Sequence, residues 1–296
     1  MSANEHPTVS ILMTAYNREQ FIGESIESIL SSTFDDFELV IVDDQSMDRT
    51  LEIARSYESD PRVKVYRNEV NLGDFANRNR AAELAKGKYL KYLDSDDLMY
   101  PHCLQVMVAN MEEFPEAGFG ASKPAELERP APYLLTPRDL FQRHFHGKSY
   151  LGNAPSSMIF RTDRFRKIGG FNVGQRFNDT EFNMRMAAHF PMIVMPPGLM
   201  WWRAHGTQEL TYLRDDPDFL SAYFRCQLEM LEADYCPLEG AERVRAIRWL
   251  KGIHLRQLIR LAAKGRLLTS FQLLRQSGLA ISDLPLAFSK HEESKP

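Results

Sequence analysis

The sequence predicts an α/β protein in which a mostly parallel sheet is flanked by helices. Short apolar runs alternate with segments of helical apolar spacing throughout residues 9–93. Strands that alternate with helices form parallel sheets through right-handed crossovers. Acidic residues follow two of these strands, as Asp43-Asp44 and as Asp94-Ser95-Asp96-Asp97. Because ligands bind beyond the carboxyl ends of strands in such sheets, acids at this edge indicate a functional site.

Local patterns define the elements of the first hundred residues. Residues 9–13 form a short apolar run after Pro7, and apolar residues at helical spacing follow at 20–30. The same patterns predict further strands at 37–42, 63–66 and 89–93 and further helices at 50–57 and 75–85.

Beyond residue 100 the alternation is less regular. The predicted elements are helices at 101–114, 163–168 and 179–189 and strands at 117–122, 157–160 and 193–195. Residues 123–137 contain four prolines and are predicted to be a crossover loop. From about residue 215 to about residue 280 the pattern is helical.

Composition and charge exclude several classes of protein. The chain has 296 residues and a formal net charge of −4, which gives no indication of nucleic-acid binding. Its three cysteines form no CxxC pair, which argues for a reducing compartment and against a disulfide framework or a zinc site. The N-terminus lacks the features of a cleaved signal, and no apolar run is long enough to span a membrane. We therefore expect a cytoplasmic protein that is soluble or peripheral on the inner face of the cell membrane.

Asp94, Asp96 and Asp97 lie together after the predicted strand at 89–93. Clustered carboxylates repel one another, so such a group is stable mainly when a cation is present. Oxygen ligands suit Mg²⁺ or Mn²⁺, which commonly bridge one or two carboxylates to substrate phosphates. The sequence therefore predicts a divalent-cation site at this strand end.

Two segments carry a family resemblance: VSILMTAYNREQFIGESIESILSSTFDDFELVIVDDQSMDRT at 9–50 and NLGDFANRNRAAELAKGKYLKYLDSDD at 71–97. Together they resemble the nucleotide-sugar-binding half of family-2 inverting glycosyltransferases of the GT-A fold. The resemblance covers about residues 8–101, and a weaker likeness extends to about residue 205. It implies a metal-dependent, hexosyltransferase-type enzyme that transfers a sugar from a nucleoside-diphosphate sugar to an acceptor hydroxyl. UDP is the favoured nucleotide, with dTDP and GDP as alternatives.

The resemblance also implies which residues bind the donor. Asp44 matches the acid that hydrogen-bonds a uracil or thymine ring, and Tyr16 is placed to stack on the base. Arg78 matches a basic residue near the donor. The full predicted nucleotide-sugar-binding set is Thr14, Ala15, Tyr16, Arg18, Asp44, Arg78, Asp94, Ser95 and Asp96.

The resemblance further implies metal ligands and a catalytic base. Asp97 matches the direct metal ligand, Asp96 lies near the ribose or the metal, and His205 resembles a late histidine that can reach the metal or the diphosphate. Asp179 matches the catalytic base in a Glu-Asp element that opens a helix. This sequence has Asn178 where the family often has Glu, and Glu181 stays open as the alternative base.

We expect two parts of the chain, a GT-A domain at 1–212 and a helical C-terminal extension at 213–296. Within the first domain, 8–101 is the nucleotide-sugar-binding half and 102–212 the acceptor half. The segment 241–280 contains nine Lys or Arg residues and one acid. On a helical wheel of this segment the predicted apolar arc is Val244, Ile247, Leu250, Leu258, Leu261 and Ala262. Such a basic amphipathic segment predicts contact with a membrane surface, with a partner or with its own domain.

The expected partners are a UDP-sugar donor and a saccharide or lipid-linked saccharide acceptor, as in cell-surface polysaccharide or glycolipid assembly; an oligomer is left open. A nucleotidyltransferase is an alternative, but the glycine-rich phosphate loop that it needs after the first strand is missing. A catalytically silent sugar-nucleotide-binding protein is a second alternative. A dinucleotide-binding dehydrogenase is disfavoured because no GxGxxG follows a strand.

Overall fold

A computed structural model describes residues 6–122, 129–146, 149–174, 178–206 and 217–288. The chain divides into two compact units, one formed by Met1–Pro137 with Tyr150–Arg203 and the other by Arg138–Ser149 with Ala204–Pro296. The predicted domain boundary at 212–213 lies outside the described residues and stays a prediction.

The first unit contains an eight-stranded mixed sheet. Its strands, in chain order with the separate β5–β10 pair, are β1 (Val9–Ala15), β2 (Phe37–Asp43), β3 (Val63–Arg67), β4 (Tyr89–Tyr92), β5 (Leu98–Met99), β6 (Phe119–Ser122), β7 (Tyr133–Leu135), β8 (Met158–Arg161), β9 (Met192–Met195) and β10 (Met200–Trp201). The order across the sheet is β3-β2-β1-β4-β8-β6-β9-β7. The first four are parallel, whereas β8 and β7 run against their neighbours. The predicted mostly parallel sheet is confirmed.

The helices, again in chain order, are α1 (Ile22–Leu30), α2 (Thr50–Ser56), α3 (Asp74–Leu84), α4 (Cys103–Glu113), α5 (Pro137–Phe145), α6 (Thr162–Ile168), α7 (Asn178–His189), α8 (Pro217–Glu232), α9 (Gly240–Ala263) and α10 (Leu267–Gln276). In the first unit, apolar residues of β1, β2, α1 and α4 are buried together as its main core. No helix within the described residues has the length and apolarity needed to cross a membrane.

In the second unit α9 is the central helix. It packs against α8, α10 and a 3₁₀ segment at Ile281–Phe288. Its buried side chains include Ala246, Leu250, Leu255 and Leu258. Of the predicted apolar arc, Leu250 and Leu258 are therefore buried inside this unit, whereas Val244 is exposed.

The predicted crossover loop at 123–137 is only partly correct. Residues 123–128 lie outside the described residues, but β7 at Tyr133–Leu135 pairs antiparallel with β9. This strand is short, lies at the sheet edge and directly follows Pro132. Proline is tolerated at edge strands and strand starts, so four prolines did not exclude a strand here.

Candidate functional site

The candidate site lies at the carboxyl ends of β2, β1 and β4, which are neighbours in the sheet. The parallel register places Ala15 of β1 opposite Asp43 of β2, and Leu12 of β1 opposite Tyr92 of β4. The acidic segments after β2 and β4 therefore flank the end of β1 on either side. Thr14 and Ala15 lie at the end of β1, Asp44 directly follows β2, and the acidic segment 94–97 follows β4.

The carboxylate of Asp44 holds the loop before α3 through three hydrogen bonds. Its Oδ1 accepts hydrogen bonds from the Leu72 backbone N–H at 2.8 Å and the Asn68 side-chain amide at 2.7 Å, and its Oδ2 accepts one from the Gly73 N–H at 2.8 Å. Gly73 has φ of 83°, a conformation that glycine adopts without a Cβ penalty. A carboxylate has about four acceptor positions, and the described residues fill three of those of Asp44.

The end of β1 presents a mixed group of side chains. Thr14 is half-buried, Ala15 is buried, and Tyr16 exposes its ring just beyond the strand. Arg18 reaches the acidic segment after β4, where its Nε lies 3.1 Å from Oδ2 of Asp96. This ion pair connects the predicted nucleotide pocket to the predicted cation site.

Arg78 is buried between two carboxylates. Its guanidinium forms ion pairs with Asp74 at 3.0 Å and with Asp94 at 2.7 Å. Burial alone would lower the pKa of Arg78, but Asp74 and Asp94 outweigh it and raise that pKa. Burial would likewise raise the pKa of Asp94, yet the charge of Arg78 and a hydrogen bond from Ser156 bring it below the ordinary value. Arg78 and Asp94 are therefore fixed as an ion pair.

Asp97 is a buried carboxylate with one unsatisfied oxygen. It is 1% exposed, and its Oδ1 accepts a hydrogen bond from the Arg203 backbone N–H at 3.1 Å. Its Oδ2 is buried and has no hydrogen-bond partner among the described residues. Burial and the negative charges of Asp94 and Asp96 raise the pKa of Asp97 to about 7.

This environment fits a divalent cation. A bound cation would supply the missing partner of Asp97 Oδ2 and offset the repulsion from Asp94 and Asp96. Within the described part of the chain no group of three or more His, Cys, Asp or Glu side chains could hold a metal ion. One or two carboxylates are enough for a cation that is also bound by substrate phosphates.

Behind the acids lies a lysine that the sequence analysis did not select. Lys91 of β4 is fully buried, and its Nζ donates hydrogen bonds to the carbonyls of Tyr92, at 2.7 Å, and of Ser156. Burial lowers the pKa of Lys91, while Asp94 and Asp97 act in the opposite direction. Lys91 is the one charged residue of the apolar strand β4, and this pattern could have identified it in the sequence.

Arg203 is a second residue that the sequence analysis did not select. Besides its backbone contact with Asp97, its guanidinium Nε donates to the Asp96 carbonyl at 2.9 Å. Its Nη2 lies 2.5 Å from Glu24 of α1. Arg203 thus connects the acidic segment 94–97 to α1 and to the chain that follows β10. His205, only two residues later, belongs to the second unit, and its role stays a prediction.

The two candidate bases occupy different environments at the start of α7. Asp179 is half-buried and lies in the electrostatic range of Arg78 and Asp74. Burial raises the pKa of Asp179, and Arg78 opposes that rise. Glu181 is 3% exposed and forms a two-point ion pair with Arg185, with N–O distances of 2.5 and 3.0 Å. Arg185 also donates to the carbonyls of Ile168 and Gly170. Both carboxylate oxygens of Glu181 are thus paired with Arg185.

Replacing Glu181 with glutamine should therefore destabilise the protein. Loss of one partner of a buried ion pair leaves Arg185 uncompensated, and the expected cost is about 3–5 kcal/mol in the free energy of unfolding. Urea denaturation of Glu181→Gln and the wild type measures this difference. Replacement of the exposed Glu58 by glutamine is the matched control and should change stability by less than about 0.5 kcal/mol. Equal effects of the two changes would contradict the structural role of Glu181.

Comparison with known proteins gives the family. Residues 10–174 match the model of "Glycosyl transferase family 2". The chain is 31% identical over 228 residues to the "putative colanic acid biosynthesis glycosyl transferase WcaA" of Escherichia coli, covering 74% of this chain and 80% of that protein. It is 40% identical over 112 residues to the "putative glycosyltransferase EpsE" of Bacillus subtilis, but this match covers only 37% of this chain and 40% of EpsE.

Solved structures agree on the fold. Residues 1–349 of TarS from S. aureus, crystallised with UDP-GlcNAc, superimpose with a TM-score of 0.65 at 19% identity, covering 93% of each chain. The mannosyltransferase PcManGT from Pyrobaculum calidifontis, in complex with GDP-Man and Mn²⁺, gives 0.60 at 15% identity, covering 99% of this chain and 90% of that one. The predicted GT-A fold with C-terminal helices is confirmed. The chain belongs to glycosyltransferase family 2.

Proposed function

We propose that the protein is an inverting, cation-dependent glycosyltransferase that transfers a hexose-type sugar from a nucleoside-diphosphate sugar, with UDP favoured, to an acceptor hydroxyl. The observation that carries this proposal is Asp97, whose buried Oδ2 has no hydrogen-bond partner among the residues that the structure describes. Asp97 lies beside the Arg78–Asp94 pair. A carboxylate in this condition at the carboxyl edge of a parallel sheet suits a cation that also contacts a diphosphate.

In this proposal the strand ends bind the nucleotide. Tyr16, exposed beside Thr14 and Ala15, stacks on the base, and the remaining acceptor position of Asp44 receives a ring N–H. That contact suits a uracil or thymine ring, in which N3 carries a hydrogen. Arg18, Ser95 and Asp96 lie where the ribose and the diphosphate would follow. Because Arg18 is already paired with Asp96, its charge is held in place before the donor binds.

Asp97 and Asp96 would hold the divalent cation. When bound, the cation supplies positive charge that neutralises the diphosphate leaving group. The protein itself prepares this position: Arg203 orients Asp97 through the backbone contact, and Lys91 lies behind the acids. His205 remains a proposed third ligand from the sequence resemblance alone.

We assign the catalytic base to Asp179. An acceptor hydroxyl that attacks the sugar from the face opposite the diphosphate must lose its proton, and a carboxylate with a raised pKa is well suited to accept it. The charge of Arg78 opposes the rise in the pKa of Asp179 and so favours the ionised form of this base. A single displacement inverts the anomeric carbon and needs no protein nucleophile. Glu181 is less suited because its oxygens are paired with Arg185.

The remaining assignments are part of the same proposal. Residues 8–101 bind the donor, 102–212 shape the acceptor cleft and 213–296 form an extension, with the enzyme at the inner membrane surface or in the cytoplasm. The acceptor is a saccharide or lipid-linked saccharide. WcaA carries a name that refers to colanic acid biosynthesis, and this supports a role in cell-surface polysaccharide assembly.

A donor-binding experiment tests the proposal without knowledge of the acceptor. Titration calorimetry of the full chain with UDP, dTDP and GDP, each with Mn²⁺ or with a chelator, should show UDP as the tightest ligand. The expected loss on chelation is at least about tenfold, since the diphosphate then meets Asp96 and Asp97 without a neutralising charge. Release of nucleoside diphosphate from the corresponding sugar nucleotides measures turnover. Unchanged UDP affinity and turnover in the chelator would exclude the cation role, and tightest binding of GDP would replace the UDP assignment.

A further inference from the structure

The connection between α9 and α10 forms a fixed hairpin tip in the second unit. Gly265, with φ of 83°, ends α9, and the backbone N–H groups of Gly265 and Arg266 donate to the carbonyls of Ala262 and Leu261 at 3.0 and 3.2 Å. These two bonds form a Schellman motif, which terminates a helix and reverses the chain. Ser270 Oγ donates to the Leu258 carbonyl at 2.9 Å and ties the start of α10 to α9.

Three large apolar side chains are exposed at this tip. Leu267 is 68% exposed, Leu268 is 83% exposed and Phe271 is 55% exposed. Phe271 is four residues from Leu267 and three from Leu268, so the three side chains are neighbours on one face of α10. The opposite face packs into the unit through Leu273 and Ser277, which are buried. The three exposed side chains are therefore not part of the apolar core of this unit.

Every charged residue in the sequence around this tip is positive. Residues 260–280 contain four cations and no acid. All four are exposed, and none forms an ion pair within the described part of the chain: Arg260, Lys264, Arg266 and Arg275. Lys264 and Arg266 lie in the connecting turn beside Leu267, and Arg275 follows Phe271 by one helical turn. An exposed apolar cluster surrounded by cations complements an apolar layer covered by anions.

We infer that this tip is a membrane-surface anchor, in which Leu267, Leu268 and Phe271 enter the headgroup region of an anionic bilayer. The surrounding cations would lie at the level of the lipid phosphates, as in interfacial amphipathic helices. This surface differs from the helical-wheel arc of α9 predicted from the sequence, because Leu250 and Leu258 of that arc are buried by helix packing. The inference is independent of the transferase chemistry and goes beyond it.

Co-sedimentation of the full chain with vesicles tests this inference. Vesicles of phosphatidylcholine mixed with phosphatidylglycerol should bind the wild type, and vesicles of phosphatidylcholine alone should bind it at least about tenfold more weakly. The double change Leu267→Ser/Leu268→Ser should lower partitioning into anionic vesicles by at least about tenfold, because the inserted apolar area is lost. Lys264→Glu/Arg266→Glu should lower it similarly at low salt.

Val244→Ser is the matched control. Val244 is also exposed on α9, but its position is roughly 30 Å along the helix axis from the tip, so partitioning should stay within about twofold of the wild type. Circular dichroism and UDP affinity should be the same in all variants, since the changed side chains are exposed. Wild-type binding to neither vesicle, or equal binding of the Leu267→Ser/Leu268→Ser variant, overturns the inference. Failure of UDP binding would instead count against the proposed function alone.

Discussion

Replacing Asp179 with asparagine is expected to lower kcat by about 10²–10⁴-fold while leaving donor affinity nearly unchanged. The amide keeps the size and the acceptor oxygen of the side chain but cannot take up the acceptor's proton. The substitution should not lower the free energy of unfolding. Burial raises the pKa of Asp179, so its charged form costs stability at neutral pH and a neutral side chain avoids that cost.

Glu181→Gln is the paired variant for this experiment. It should weaken the fold but retain kcat within a few-fold below the denaturation range, since Glu181 is paired with Arg185 rather than available to the acceptor. Nucleoside diphosphate release, with the donor and acceptor that support turnover, measures both variants. The opposite pattern, with full kcat in Asp179→Asn and a large loss in Glu181→Gln, would transfer the role of base to Glu181.

The pH profile gives a second measurement of the same assignment. Protonated Asp179 cannot act as a base, so kcat should fall as the pH drops through the pKa of this residue. Because that pKa is raised from 3.8, the acidic limb should lie above pH 3.8 in the wild type and be absent from the residual activity of Asp179→Asn. An unchanged limb in the variant would assign it to a different group.

The strand ends could be predicted because their signals are local. An apolar run followed by acids both identifies a buried strand and gives the place where its functional residues lie, as with β2 before Asp44 and β4 before Asp94. Parallel topology then brings those ends to one edge without further information. The fold and the grouping of the first-unit acids therefore depend on short stretches of sequence.

Partners of these acids could not be predicted in the same way. Arg78 and Asp94 form an ion pair although they lie on different elements and are not neighbours in the sequence. Likewise, the contact of Arg203 with Asp97 joins residues that are 106 positions apart. The choice between Asp179 and Glu181 stayed open for the same reason, since both lie in the first turn of one helix. Our proposed choice of Asp179 rests on the salt bridge of Glu181 with Arg185.

Replacing Asp97 with asparagine should make the metal-free protein more stable while it abolishes turnover. Burial and the negative charges of Asp94 and Asp96 raise the pKa of Asp97 from 3.8 to about 7. The folded pKa is the higher one, so stability from this group is present below pH 3.8 and is lost as the pH rises towards 7. At about 1.4 kcal/mol per pKa unit the full loss is roughly 4 kcal/mol, and relaxation of the site reduces the expected gain to about 2–4 kcal/mol.

Thermal unfolding at neutral pH in a chelator, and then with Mn²⁺ and UDP, measures this effect. The wild type should be less stable than Asp97→Asn in the chelator and should gain stability from Mn²⁺ with UDP, because ligands that bind only the folded state raise its stability. The variant should gain much less, since its amide has lost the charge that attracts the cation. Asp163→Asn, on the exposed first turn of α6, is the matched control and should behave like the wild type in both solutions. A chelator-treated Asp97→Asn protein that is less stable than the wild type would show that Oδ2 of Asp97 is satisfied by the protein itself, and the case for a cation at this carboxylate would then be lost.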